Sequence, residues 1–130
     1  MKNKVNTASK NRDEAMIAEC LRIYERARAK IAPYKPLMAQ RQERMDALKK
    51  FAALLNQQWK EIHQMKLAGG AKDYCASLQA TIDALHRSAT EEIGEHYTEL
   101  TAMMDEIADY SKDLRKMGAY LKAQGVEVPE

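Results

Sequence analysis

The sequence predicts an all-α protein built from long amphipathic helices. Three observations carry that reading. Gly (5) and Pro (3) are scarce, and residues that lose little rotamer freedom in a helix are plentiful (Ala, Leu, Met, Glu, Lys, Arg and Gln). β-Branched and aromatic side chains, which a sheet would need, are few, with one Trp and one Phe in 130 residues. Apolar residues also recur at spacings of three and four over most of the chain.

Residues 1–10 read as a disordered basic arm, and residues 11–125 as a single helical domain. The first helix is expected over about 11–31. Asn11 with Glu14 has the spacing of a capping box at its start. Its apolar stripe is Ile17, Cys20, Leu21, Tyr24, Ala27 and Ile31. Pro33 and Pro36 then interrupt, each lacking a backbone donor.

A second helix is expected over about 36–68, with Pro36 at its first position. Its stripe is Met38, Met45, Leu48, Ala52, Leu55, Trp59 and Ile62, with Phe51 and Met65 on the flank. Gly69–Gly70 is the strongest break in the chain and permits a tight reversal.

A third helix is expected over about 71–124. Its stripe is Cys75, Leu78, Ile82, Leu85, Ala89, Ile93, His96, Leu100, Met103, Ile107, Tyr110, Leu114, Met117 and Leu121. Two successive steps of four at Leu85–Ala89–Ile93 read as a stutter. Gly125 suits the helix end, and residues 126–130 form a tail.

With the glycine pair as a hairpin tip, residue i faces roughly residue 138 minus i, which keeps both stripes in phase across the prolines. The predicted architecture is a long antiparallel, coiled-coil-like hairpin kinked near residues 33–36, each arm roughly 80 Å long. The alternative is a three-helix bundle, with the first helix folded back and a second copy covering the end of the third helix. Phe51, Leu54, Met65 and Met104 lie off the main seam and are the residues that a homodimer of two hairpins would bury.

Charge is segregated. Residues 1–70 carry 15 basic and 7 acidic side chains, net +8, whereas residues 71–130 carry 6 and 12, net −6, giving the overall +2. Seven acids with no base between them lie from Ser88 to Ser111: Glu91, Glu92, Glu95, Glu99, Asp105, Glu106 and Asp109. The expected register lays them opposite the basic stretch Arg22–Lys50.

No Gly-rich phosphate loop, nucleophile–base pair or metal-ligand spacing occurs, so the chain is read as non-enzymatic, without cofactor or metal. Asp83-x-x-His86 is only a single echo of the repeated Glu-x-x-His pairs of a di-iron bundle. His86 reads as a surface residue and His96 as a polar residue of the seam. Cys20 and Cys75 have no disulfide-framework spacing. No apolar run can span a bilayer and no secretory leader is visible, which points to the cytoplasm and away from a membrane. Trp59 lies in a basic amphipathic segment, Lys49–Lys66, of the kind that binds calmodulin or a membrane surface. Being in phase with the stripe, it reads instead as a core anchor.

Two functions fit. In the first, the seven acids form a surface that binds another protein, itself basic or nucleic-acid-binding, and the chain acts as an adaptor, chaperone or inhibitor. In the second, an accessory protein tracks nucleic acid through Lys2, Lys4, Lys10, Arg12, Arg22, Arg26, Arg28, Lys30 and Lys35.

Overall fold

A computed structural model describes residues 2–128, with side chains from residue 10 onward. Among the described residues there are four helices and no strand: α1 (Lys2–Ile31), α2 (Tyr34–Leu67), α3 (Lys72–Glu106) and α4 (Ala108–Ala123). They make two compact units, one of Met1–Pro36 with Met104–Glu130, the other of Leu37–Met103.

Helix boundaries differ from the sequence expectation in three places. α1 already runs from Lys2, so Asn11 lies inside it and cannot cap it. The side chains of the expected arm up to residue 9 lie outside the described residues. α2 begins at Tyr34 and not at Pro36. Pro36 stays in the first turn, where a backbone N–H has no helical acceptor and its loss costs nothing. The expected third helix is interrupted at Ile107 (φ −98°, ψ 4°), which separates α3 from α4. No proline or glycine marks that spot.

The glycine stops form as expected. At the end of α2, Gly70 N–H donates to Met65 O (3.1 Å) and Gly69 N–H to Lys66 O (3.2 Å), with Gly69 at φ +88°. This is a Schellman motif, in which a left-handed residue lets two orphan carbonyls find donors. α4 ends in the same way. Val126 N–H donates to Leu121 O (2.9 Å) and Gly125 N–H to Lys122 O (3.1 Å), with Gly125 at φ +75°.

In the first unit α1 and α4 run antiparallel. Tyr34 lies beside Glu106, and the ring of Tyr24 beside Gly118. The core is Tyr24, Ala27, Ile31, Ile107 and Leu121, the last fully enclosed. Ala27 and Gly118 are both buried, and these small residues let the two backbones come close.

In the second unit α2 and α3 run antiparallel, since Arg41, Arg44 and His63 meet Glu99, Glu92 and Gln79 respectively. The α2 side of the seam is Met38, Arg41, Met45, Leu48, Ala52, Leu55, Trp59 and Ile62, all buried or half-buried. On α3 the seam passes through Cys75, Gln79, Ile82, His86, Ala89, Ile93, His96, Leu100 and Met103. That path alternates steps of four and three without interruption, so the expected stutter is absent. Gln79 is 7% exposed while Leu85 is 45% exposed. Reading only apolar residues placed Leu85 in the seam, where the backbone puts His86. His86 is accordingly half-buried and not a surface residue.

Candidate partner-binding site

Polar residues punctuate the seam of the second unit, and they fix where charge emerges. Arg41, with a 30% exposed side chain, forms an ion pair with Glu99. Its guanidinium also donates to His96 Nδ1 at 3.1 Å. A guanidinium has no acceptor, so Nδ1 is the unprotonated nitrogen and the neutral ring carries its proton on Nε2. Nε2 is buried without a hydrogen-bond partner among the described residues, and Glu92 Oε1 lies 3.9 Å away. Arg44 holds the same Glu92 at 3.2 Å. Nearer the Gly69–Gly70 end, Gln79 meets His63 Nδ1 at 3.3 Å, and His63 stacks on Trp59 with ring centroids 4.9 Å apart. Trp59 is half-buried in the seam.

The seven acids divide between the units. Glu91, Glu92, Glu95 and Glu99 belong to the second, and Asp105, Glu106 and Asp109 to the first. Three are engaged: Glu92 with Arg44, Glu99 with Arg41, and Glu106 with the phenol of Tyr34, which donates to it at 2.6 Å. The hydrogen bond to the Glu106 carboxylate, and then its charge, raise the pKa of Tyr34 above 10.0. Glu91, Glu95, Asp105 and Asp109 are exposed and form no ion pair among the described residues.

Beside Glu91 and Glu95 runs a groove of about 400 Å³ between α2 and α3. The buried Leu48 and Ala89 and the exposed Arg44, Phe51, Leu85 and Ser88 line it together with Glu91, Glu92 and Glu95. Phe51 is 42% exposed. Only Phe51 and the carboxylates were legible as surface features in the sequence. Leu85 was hidden by its assignment to the core.

The basic residues differ in their surroundings. Lys2 and Lys4 have side chains outside the described residues. Lys10, Arg12, Arg28, Lys30 and Lys35 are exposed on the first unit. Arg22 is paired with Glu19, Nε to Oε2 at 3.1 Å, which lowers the pKa of Glu19 and raises that of Arg22. Arg22 and Arg26 line a groove of about 570 Å³ together with Glu106, Asp109 and Asp113. Carboxylates thus line the same groove as these two arginines.

Both cysteines are free thiols. Among the described residues no group of three His, Cys, Asp or Glu side chains could hold a metal ion, and no helix is long and apolar enough to cross a membrane. No protein-family profile, curated protein or solved structure matches the chain.

Proposed function

We propose that this chain is a non-enzymatic interaction protein that binds another, basic protein in the cytoplasm through its acidic helical surface, as an adaptor, chaperone or inhibitor. The observation that carries the reading is the pair Glu91 and Glu95. Both are exposed on α3, and neither is neutralised by an ion pair among the described residues. Unpaired carboxylates of one sign steer an oppositely charged partner and reject a like-charged one. Asp105 and Asp109 extend the same chemistry on the first unit, while Glu92, Glu99 and Glu106 serve mainly to hold helices together.

We read each unit by itself as a coiled-coil-like antiparallel pair of helices. The support is that α1 pairs with α4 and α2 with α3, two by two.

The test is recovery of the tagged chain from its source, with and without nuclease, beside a Glu91→Lys/Glu95→Lys variant. A protein that survives nuclease and is lost from the variant is expected. Recovery that collapses on nuclease would replace this reading with nucleic-acid binding through the basic residues.

A further inference from the structure

We infer that the groove between Phe51 and Leu85 docks one amphipathic α-helix of the partner, with that helix's basic residues concentrated at one end. The inference rests on the interaction reading above and adds the shape and charge pattern of what is bound.

The seam leaves several large apolar side chains exposed on one flank of the second unit. Phe51 and Met65 lie fourteen residues apart, two heptads, and so share a side of α2, with Leu54 three residues beyond Phe51 on the same side. Leu85 holds the equivalent edge of α3, and Tyr74, eleven residues earlier, lies on that side too. The two edges adjoin, because Phe51 and Leu85 line one groove and Arg44 pairs with Glu92 one heptad away on each helix. Phe51, Leu54, Met65, Tyr74 and Leu85 are between 42% and 67% exposed. A furrow of this kind between two α-helices, apolar at Leu48, Phe51, Leu85 and Ala89 and charged beyond them, is what an amphipathic helix fills with residues at i, i+3/i+4 and i+7. From Phe51 to Met65 the exposed edge of α2 measures about 21 Å, the length of a helix of roughly four turns.

Charge selects the occupant. At the Arg44 end, Arg44 and Glu92 neutralise each other, which leaves Glu91 and Glu95 in the lining with no ion pair among the described residues. Toward Gly69–Gly70, Glu61 and Asp73 are interspersed with Lys60, Lys66 and Lys72, so no single sign prevails there. The complementary helix is therefore apolar along its length and basic where it meets α3 near Glu91.

The probes are two fluorescein-labelled helical peptides of about fifteen residues, matched in a leucine stripe, one ending in four lysines and the other in four glutamates. Binding is read by anisotropy against the full chain and against Phe51→Ser, Leu85→Ser and Glu91→Lys/Glu95→Lys, with helicity checked by circular dichroism. The lysine peptide should bind at least about tenfold tighter than the glutamate peptide. Each serine substitution should weaken it about tenfold, and the double reversal should invert the preference. Phe51 and Leu85 are 42% and 45% exposed, lie outside the buried core and sit on different helices, so the variants should fold, and each tests the groove alone.

Equal binding of the two peptides, or indifference to both serine variants, overturns the inference. So does self-association of the free chain in sedimentation that Phe51→Ser abolishes, since a second copy would then be the occupant. A source protein lost on Glu91→Lys/Glu95→Lys but retained by both serine variants overturns the groove and leaves the acidic-surface reading standing. One indifferent to the charge reversal removes that reading as well.

Discussion

Arg41 on α2 reaches across the second unit to His96 on α3, Nη1 to Nδ1 at 3.1 Å, at a level of the seam where two apolar residues would otherwise meet. Burial of the His96 side chain to 18% exposure makes the pair dependent on each other. Arg41→Leu alone leaves Nδ1 without its donor and should cost about 1 kcal/mol. Adding His96→Leu removes the orphaned group and fills the seam, which should recover most of that loss. Urea denaturation of the single and double variants measures the coupling. Additive losses would show that the two side chains do not act as a unit.

The glycines provide a contrast within one unit. Gly94 lies inside α3, and a Cβ there meets nothing within 4 Å. Gly94→Ala should therefore stabilise by about 0.5–1 kcal/mol, from the lower chain entropy of alanine. Gly69 also has open space around it, but its φ is +88°. Gly69→Ala should destabilise by about 1–2 kcal/mol because a Cβ disfavours the left-handed backbone. The two midpoints in urea should move in opposite directions. A shift of Gly69→Ala in the stabilising direction would mean that the Schellman turn is not kept in solution.

Gly118 answers a different constraint. A Cβ added there would lie 3.3 Å from Cε2 of Tyr24, close enough that the ring must give slightly. Gly118→Leu pushes a larger side chain into a buried contact between α1 and α4 and should cost about 1–3 kcal/mol. Thermal unfolding reads the loss, and an unchanged midpoint would show that α1 and α4 do not pack there.

How far the sequence exposed this structure depended on whether the signal was local. Gly69 and Gly125 stood out because a left-handed turn demands a residue without a Cβ. The stripes of Met45, Leu48 and Leu55 were equally plain, being apolar at helical spacing. Gln79 and His86 were missed because polarity argued against the seam, although they restore an unbroken alternation of three and four. Arg41 was missed for the same reason. The interruption at Ile107 has no residue-type signature at all. At the site, the acid run was evident from composition. That Glu92, Glu99 and Glu106 are held by Arg44, Arg41 and Tyr34, leaving Glu91 and Glu95 free, required knowing which side chains face each other across helices.

The Tyr34–Glu106 bond gives the first unit a dependence on alkaline pH. The phenol donates to the carboxylate at 2.6 Å, and this raises the folded-state pKa of Tyr34 above the ordinary 10.0. A raised pKa means that, near and above pH 10, the folded chain keeps a proton which the unfolded chain releases. Stability then falls with rising pH. The contribution is fully present below pH 10 and disappears as pH climbs through the folded-state value. Tyr34→Phe cannot make the bond, so it should be slightly less stable at pH 8 and should lose less on going to pH 11. Urea midpoints for both proteins at the two pH values make the comparison. A difference between them that stays constant from pH 8 to pH 11 would mean that the phenol does not hold Glu106 in solution.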